Sequence, residues 1–364
     1  MYNIFLFVMA LSLGTALQAS LVENKGDDIC VRRDGKPGYC VPLHSCSSIS
    51  NMVQRKKMGI PFTSDETTYI QNSRCPVHKR GYVCCEAEDK VFQGIQELSS
   101  HKCGRFGEDD KAIGASEVKL LSRPWMALLY FRTRDGTNDF TCGGTLIHKR
   151  YVLTAAHCFN NQELLYVRLG EHNITSDTDC RLNSQKLHVC APPVQNLAIE
   201  RVFLHEQYSQ QTGHNDIALV KLKYDVENTV SIKPICLPVN ETLQKLVETL
   251  SIFRITGWGK TEYELTSQVP LETVVTKKDI KTCQESFTRK IVPTQICAGD
   301  RGRDSCNGDS GGPLIFPDLF NGQQCFVQFG IVSFGSASCG DGNPGVYTNV
   351  GSYVPWIAHK IATK

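Results

Sequence analysis

Cys30, Cys40, Cys46, Cys75, Cys84 and Cys85 fall within 56 residues, and the last two are adjacent. Between them run loop signals such as "RRDGKPGYC" and "GIPFTSDETT", with little apolar periodicity. A module this small buries too little surface to hold itself together. Three crosslinks would do part of the work of a core. Six cysteines allow many pairings, and spacing alone selects none of them.

The whole chain carries 17 cysteines in 364 residues, with no C-x-x-C pair that would favour zinc. Its first twenty residues, "MYNIFLFVMALSLGTALQAS", form a short apolar run ending in small residues. That run reads as a signal peptide over 1–19, and no later segment is apolar for the length of a membrane span. Cysteines behind such a leader form disulfides in an oxidising compartment, so the expectation is a secreted, soluble protein. A formal net charge of +2 gives no electrostatic case for nucleic acid or an anionic membrane as partner.

After the cysteine-rich module (30–85), a polar stretch, "EAEDKVFQGIQELSSHK", reads as a linker running on to an acidic, lysine-ended loop, "EDDKAIGA". From 112 onward the texture changes. Short β-type runs recur between turn residues: "MALLYF", "LLYVRLG", "IERVFLH", "DIALVKL", "IFRITGWG", "CFVQFGIVSFG" and "GVYTNV". They predict an all-β sandwich or barrel, and "YVPWIAHKIA" predicts a terminal amphipathic helix.

Three fragments carry chemistry: "LTAAHC" with His157, "HNDIALVKL" with Asp216, and "NGDSGGP" with Ser310. A serine hydroxyl is a poor nucleophile until an imidazole takes its proton. The imidazole in turn needs a carboxylate to fix its tautomer and stabilise the imidazolium. Glycines around Ser310 permit a sharp turn that aims N–H groups at a developing oxyanion. Alone, each fragment has an ordinary structural explanation; together, in the order His, Asp, Ser, they point to a triad.

By these fragments, residues 112–364 resemble the chymotrypsin-fold serine proteases, a double β-barrel with a C-terminal helix and the triad between the barrels. The resemblance makes His157 general base then acid, Asp216 its orienting partner and Ser310 the nucleophile. It places the oxyanion hole at the N–H groups of Gly308 and Ser310. Asp304, six residues before the nucleophile in "RDSCNGDSGGP", would lie at the floor of the primary pocket and pair with Arg or Lys. Ser305 resembles the trypsin-type arrangement, and Ser333, Gly335 and Gly345 would line open pocket walls.

Proteases of this family stay inert until a cut frees a new amino terminus, which pairs with the Asp preceding the nucleophile, here Asp309. In relatives that terminus lies thirteen residues before the Trp of a "PW" pair. Trp125 in "SRPWMALL" then gives Ala112, hence cleavage at Lys111–Ala112 within an 86–111 linker and activation segment. Most relatives begin with Ile or Val here. The smaller Ala112 forfeits about 2 kcal/mol of the burial that orders the active site, so the expectation is a larger zymogen-like fraction after cleavage, or a partner that completes the enzyme.

Family resemblance also implies the bridges Cys142–Cys158, Cys283–Cys297, Cys306–Cys339 and Cys103–Cys236, the last holding the amino-terminal part after the cut. Cys180 and Cys190 lie in one loop and are expected to pair. Where many relatives carry a further bridge, Phe253 and Phe316 stand instead, and Cys325 is left over, either buried and inert or joined to another chain. The early module resembles a clip domain, with Cys30–Cys84, Cys40–Cys75 and Cys46–Cys85 as the family pairing.

One clip domain before a trypsin-like protease resembles the zymogens of arthropod haemolymph cascades. That implies a zymogen of a serine endopeptidase acting in innate immunity, in Toll or prophenoloxidase activation. Its partners would be an upstream activating protease, a downstream protein substrate (a protease zymogen, prophenoloxidase or a cytokine precursor) and a serpin inhibitor. A developmental patterning cascade and a clip-domain adaptor with weak or cofactor-dependent activity are the alternatives. The chemistry needs no cofactor. Glu171, Asn173, Ser176 and Asp179 sit where calcium-binding relatives supply oxygens, so a structural Ca2+ competes with a merely solvated acidic loop. Asn173 in "NIT" and Asn240 in "NET" are glycosylation sequons.

Overall fold

The computed structural model describes residues 29–43, 46–75, 81–86, 90–100, 102–105, 116–182, 186–260, 266–302, 305–336 and 340–362. The leader, Lys111, Ala112, Asp304 and Cys339 lie outside the described residues.

The amino-terminal module is an antiparallel sheet of β1 (Ile29–Val31), β2 (Pro37–Pro42) and β3 (Tyr82–Glu86), with α1 (Ser47–Lys57) and α2 (Ser64–Asn72) between the second and third strands. Both helices arise from local signals. Arg55, Lys56 and Lys57 complement the carboxyl end of α1. At the start of α2, Thr63 Oγ1 accepts the Glu66 amide while Glu66 Oε2 accepts the Thr63 amide, a reciprocal cap. The bridges Cys30–Cys84, Cys40–Cys75 and Cys46–Cys85 staple this sheet, and Ile49 and Val83 fill a small core beside Cys46 and Cys85.

The stretch that reads as a polar linker contains a helix, α3 (Lys90–Ser100), docked on the larger domain. Val91, Ile95 and Leu98 recur at helical spacing and are buried in the main core. Gly94 faces the C-terminal helix so closely that a β-carbon there would stand 2.0 Å from the Ala358 carbonyl oxygen. His148 Nε2 meets Glu97 Oε1 at 3.0 Å beside this contact. The bridge Cys103–Cys236 follows, and Gly104 then pairs through its backbone with Pro234 and Phe326.

The larger domain holds sixteen described strands. They are β4 (Ser116–Glu117), β5 (Met126–Arg132), β6 (Asn138–His148), β7 (Tyr151–Thr154), β8 (Glu163–Leu169), β9 (Cys180–Leu182), β10 (His188–Cys190), β11 (Gln195–Leu197), β12 (Ile199–Leu204), β13 (Ala218–Leu222), β14 (Ile252–Gly257), β15 (Leu271–Lys278), β16 (Gln295–Ala298), β17 (Pro313–Phe320), β18 (Gln323–Phe334) and β19 (Gly345–Asn349). One sheet runs β11-β8-β5-β6-β7-β13-β12. The other runs β14-β17-β18-β19-β16-β15-β4, and the pairing of β14 with β15 closes six of its strands into a barrel. The fold is the chymotrypsin-like double barrel, with a closed second barrel and an open first one.

Three helices complete it: α4 (Glu241–Thr249), α5 (Ile280–Ser286) and the terminal α6 (Val354–Ala362). Asn240 caps α4 by accepting the Leu243 amide, and Val354, Ile357, Ala358 and Ile361 bury one face of α6. Between the two sheets of residues, Arg123 forms a two-pronged buried pair with Glu272, which also accepts from Arg254 and Thr256. Phe253 is fully buried with its ring against Phe329, 6.1 Å between centroids, and Phe316 is partly buried.

Candidate active site

His157 stands on a single 3₁₀ turn (Ala156–Phe159) after β7, and Asp216 lies two residues before β13. The antiparallel pairing of β7 with β13, Thr154 opposite Ala218, brings these positions together across 59 residues of chain. The Asp216 carboxylate accepts twice from His157: Oδ1 takes the backbone amide and Oδ2 faces ring Nδ1, both at 2.8 Å. Two contacts to one residue fix the imidazole plane and favour the tautomer that protonates Nδ1. Ser333 Oγ donates to the same Oδ2 at 2.5 Å, and Thr348 Oγ1 donates to the Asp216 carbonyl at 2.7 Å. Both come from the closed barrel, so the second barrel clamps a residue that belongs to the first.

Asp216 is buried, whereas His157 keeps about a quarter of its side chain accessible. Such a gradient suits a base that must reach a substrate while its acid stays out of water. The bridge Cys142–Cys158 locks the residue after His157 to β6.

Ser310 lies in the turn between β16 and β17, where Gly308 and Gly311 both adopt positive φ (+98° and +78°). The turn is wedged against the first barrel. The Ser310 carbonyl accepts the Gly143 amide at 2.8 Å, and a β-carbon on Gly311 would collide with Thr154 Oγ1 at 2.1 Å. The Gly311 and Gly312 amides are spent on Val332 and Asp309 carbonyls. Those of Gly308 and Ser310 make no hydrogen bond among the described residues, which leaves two donors beside the nucleophile.

Asp309 is turned onto backbone. Its carboxylate accepts the Gly259 and Cys306 amides, each at 2.9 Å, and faces no cation among the described residues. The residue retains some exposed surface, but its carboxyl group is enclosed. Burial pushes its pKa up to about 6, against the opposing effect of the two amides.

Around the primary pocket, Ser305 Oγ lies 3.2 Å from the Tyr347 hydroxyl, Gly345 opens β19 from a buried position, and Gly335 is exposed just beyond β18. Cys306 is disulfide-bonded, and Cys283–Cys297 ties α5 to β16. The bridge Cys180–Cys190 joins β9 to β10 at the end of the loop that carries the acidic residues.

In that loop Asp179 accepts the Asn173 amide (3.0 Å) and the Ser176 hydroxyl (2.9 Å), while Glu171 accepts the His172 amide and the Arg168 guanidinium. Burial raises the Glu171 pKa, and the Asp179 charge adds to the rise. Two neighbouring carboxylates, one of them desolvated, are a donor set that a hard divalent cation would fit. The Asn173 side-chain oxygen takes Thr175 as donor, and the Asn240 oxygen is the cap of α4.

Sequence reasoning missed Thr348, Gly259 and Gly311. Thr348 and Gly259 act through backbone contacts that no local pattern announces. Gly311 was legible as part of "GDSGGP", but not as the point where the barrels touch.

Comparison with known proteins agrees with this geometry. The trypsin family model matches residues 112–357, and the model described as the regulatory CLIP domain of proteinases matches 30–85. The chain is 39% identical to Serine protease grass of Drosophila melanogaster over 92% of both chains. It is 33% identical to the Drosophila Spaetzle-processing enzyme (98% of this chain, 96% of the relative). With Phenoloxidase-activating factor 3 of Holotrichia diomphalia the identity is 32%, over 96% and 97%. A crystal structure of the Drosophila Grass clip serine protease of the Toll pathway superposes with a TM-score of 0.70 at 38% identity, covering 92% of this chain and 98% of that one. The chain is a serine protease that belongs to the trypsin family and carries an amino-terminal CLIP domain.

Proposed function

We propose that this chain is the secreted zymogen of a trypsin-like endopeptidase, switched on by cleavage at Lys111–Ala112 and cutting a downstream protein after Arg or Lys. The observation that carries the reading is Asp309, an enclosed carboxylate that accepts two amides and faces no cation among the described residues. A new α-amino group at Ala112 would supply a cation for this carboxylate.

Once that group is seated, the chemistry follows from the residues in place. Ser310 Oγ attacks the scissile carbonyl as His157 Nε2 takes its proton. Asp216, held by Ser333 and Thr348, stabilises the imidazolium. The Gly308 and Ser310 amides receive the oxyanion, and His157 returns the proton to the leaving amine. Water then repeats the sequence on the acyl-enzyme. Asp304 supplies the charge that selects Arg or Lys.

The names of the relatives, a Spaetzle-processing enzyme and a phenoloxidase-activating factor among them, support a place in an extracellular immune cascade. There the chain would receive its cut from an upstream protease and be stopped by a serpin. Among the described residues no helix is long and apolar enough to cross a membrane. Glycans at Asn173 and Asn240 and a structural Ca2+ held by Glu171, Asn173, Ser176 and Asp179 belong to the same reading.

The test is to treat the purified zymogen with a lysine-specific protease, sequence the new terminus and assay Arg, Lys and Phe peptide amides. A terminus beginning Ala-Ile-Gly together with cleavage of Arg or Lys amides is the expected result. Preference for Phe, or activity without the cut, overturns it.

A further inference from the structure

Beside the triad lies a feature that the chemistry above does not use. Strand β17 pairs with β18 only as far as Ile331, so the edge from Ser333 to the exposed Gly335, just past the end of β18, has no strand partner on that side among the described residues. Ser333 holds Asp216, and Phe334 next to it is half-buried. An extended peptide that adds itself to this edge would run alongside Phe334. Two neighbours build a shelf around that ring. Phe287 meets it edge-on at 5.5 Å, and the Arg289 guanidinium lies over it at 5.0 Å.

The shelf is open because of Gly213, three residues before the triad acid. A β-carbon there would lie 2.7 Å from the Phe334 ring and 3.4 Å from Arg289 Nη1, so a side chain at 213 would cover it. The backbone around Gly213 is held in place: Gln295 Nε2 donates to the Gly213 carbonyl, and His214 Nε2 meets the Lys290 carbonyl. Arg289 is exposed and makes no ion pair with a carboxylate among the described residues. A cation laid flat on an aromatic face keeps its N–H edges free for a planar anion.

We propose that Phe334, Arg289 and the gap at Gly213 form an acid-selective subsite, which takes Asp or Glu at the third and fourth residues before the scissile bond. The proposal deepens the reading of the chain as an Arg/Lys-specific endopeptidase and rests on it. The chain itself contains such a segment. Counting Lys111 as the first residue before the bond, Asp109 is the third and Glu108 the fourth. Its acidic run therefore has the chemistry of a substrate for a second, already activated copy.

The experiment uses the full chain cleaved at Lys111 and a panel of peptide amides ending in Arg, with Glu, Gln or Lys at positions three and four. kcat/KM is expected to favour Glu over Lys by about tenfold at low salt, shrinking as salt rises. Arg289→Glu should reverse the order, and Arg289→Ala should narrow the ratio. Equal rates for the Glu and Lys peptides, or an unchanged ratio in Arg289→Glu, overturn the subsite while leaving the endopeptidase reading intact. Cleavage of none of the peptides overturns both.

Discussion

Asp309 accepts the Gly259 amide at 2.9 Å and packs so tightly there that a β-carbon on Gly259 would stand 2.4 Å from the Asp309 carboxyl carbon. Holding a carboxylate in this niche is costly until a cation arrives. A pKa raised from 3.8 to about 6 means that the fold holds a proton on this acid more tightly than the unfolded chain does. The penalty is absent below the unfolded value and fully present above pH 6, where it amounts to about 3 kcal/mol. Asp309→Asn should therefore act more favourably on the melting temperature of the uncut chain at pH 8 than at pH 4, by several degrees, over a pH-independent loss that arises because its single oxygen cannot accept both the Gly259 and the Cys306 amide. Cleaved Asp309→Asn should be inactive. Melting curves across pH check the first outcome, and an equal effect at both pH values would contradict it.

Gly94 is a contact point, not a hinge. Gly94→Ala places a methyl group against the Ala358 backbone, and relief of that overlap by moving α3 costs about 1–3 kcal/mol. The expected result is a lower melting temperature together with faster proteolytic nicking between 86 and 102, read by mass spectrometry of the fragments. Glu97→Gln, which removes the charge facing His148 but leaves the packing, should have the smaller effect.

Arg123 and Glu272 are a pair that neither side can lose alone. Burial works to raise the Glu272 pKa, yet bonds from Arg123, Thr256 and Arg254 carry it below the ordinary carboxylate value. A depressed pKa contributes stability above the unfolded value of 4.5, and that stability is lost as pH falls through the folded value. Arg123→Leu should destabilise by about 3–5 kcal/mol at pH 7, because it leaves a charge buried with fewer partners. The double variant Arg123→Leu, Glu272→Leu should recover part of the loss. Denaturant titration of the three proteins decides it.

Calcium should raise the melting temperature of the wild-type chain, because an ion held between the Glu171 and Asp179 carboxylates would bind the folded chain and not the unfolded one. Glu171→Gln should remove that response. Identical curves in millimolar Ca2+ and in chelator would contradict the proposed site.

Much of this architecture was legible because it rests on local repetition. "MALLYF" and "GVYTNV" alternate or run apolar at strand length, and β5 and β19 lie over them. The triad fragments were legible because a serine nucleophile, its base and its acid carry distinctive neighbours. What sequence hid was contact between distant segments. The stretch 86–102 read as a polar linker because charged residues outnumber apolar ones; yet Val91, Ile95 and Leu98 share one helical face, and α6 was waiting for it. Helix α4 was overlooked for a similar reason, since Leu243 and Val247 alone are buried along it. The shelf at Phe334 has no motif at all, because a strand end and two loops far apart in the chain build it.

The most direct measurement is active-site labelling with a fluorophosphonate, which reacts only with an activated serine. Zymogen, chain cut at Lys111, and cut Ser310→Ala would be labelled side by side and the adduct mapped by mass spectrometry. Labelling of Ser310 is expected in the cut chain, slowed by the zymogen-like fraction that Ala112 leaves, with almost none in the other two. Equal labelling before and after the cut, or an adduct on another residue, would contradict it.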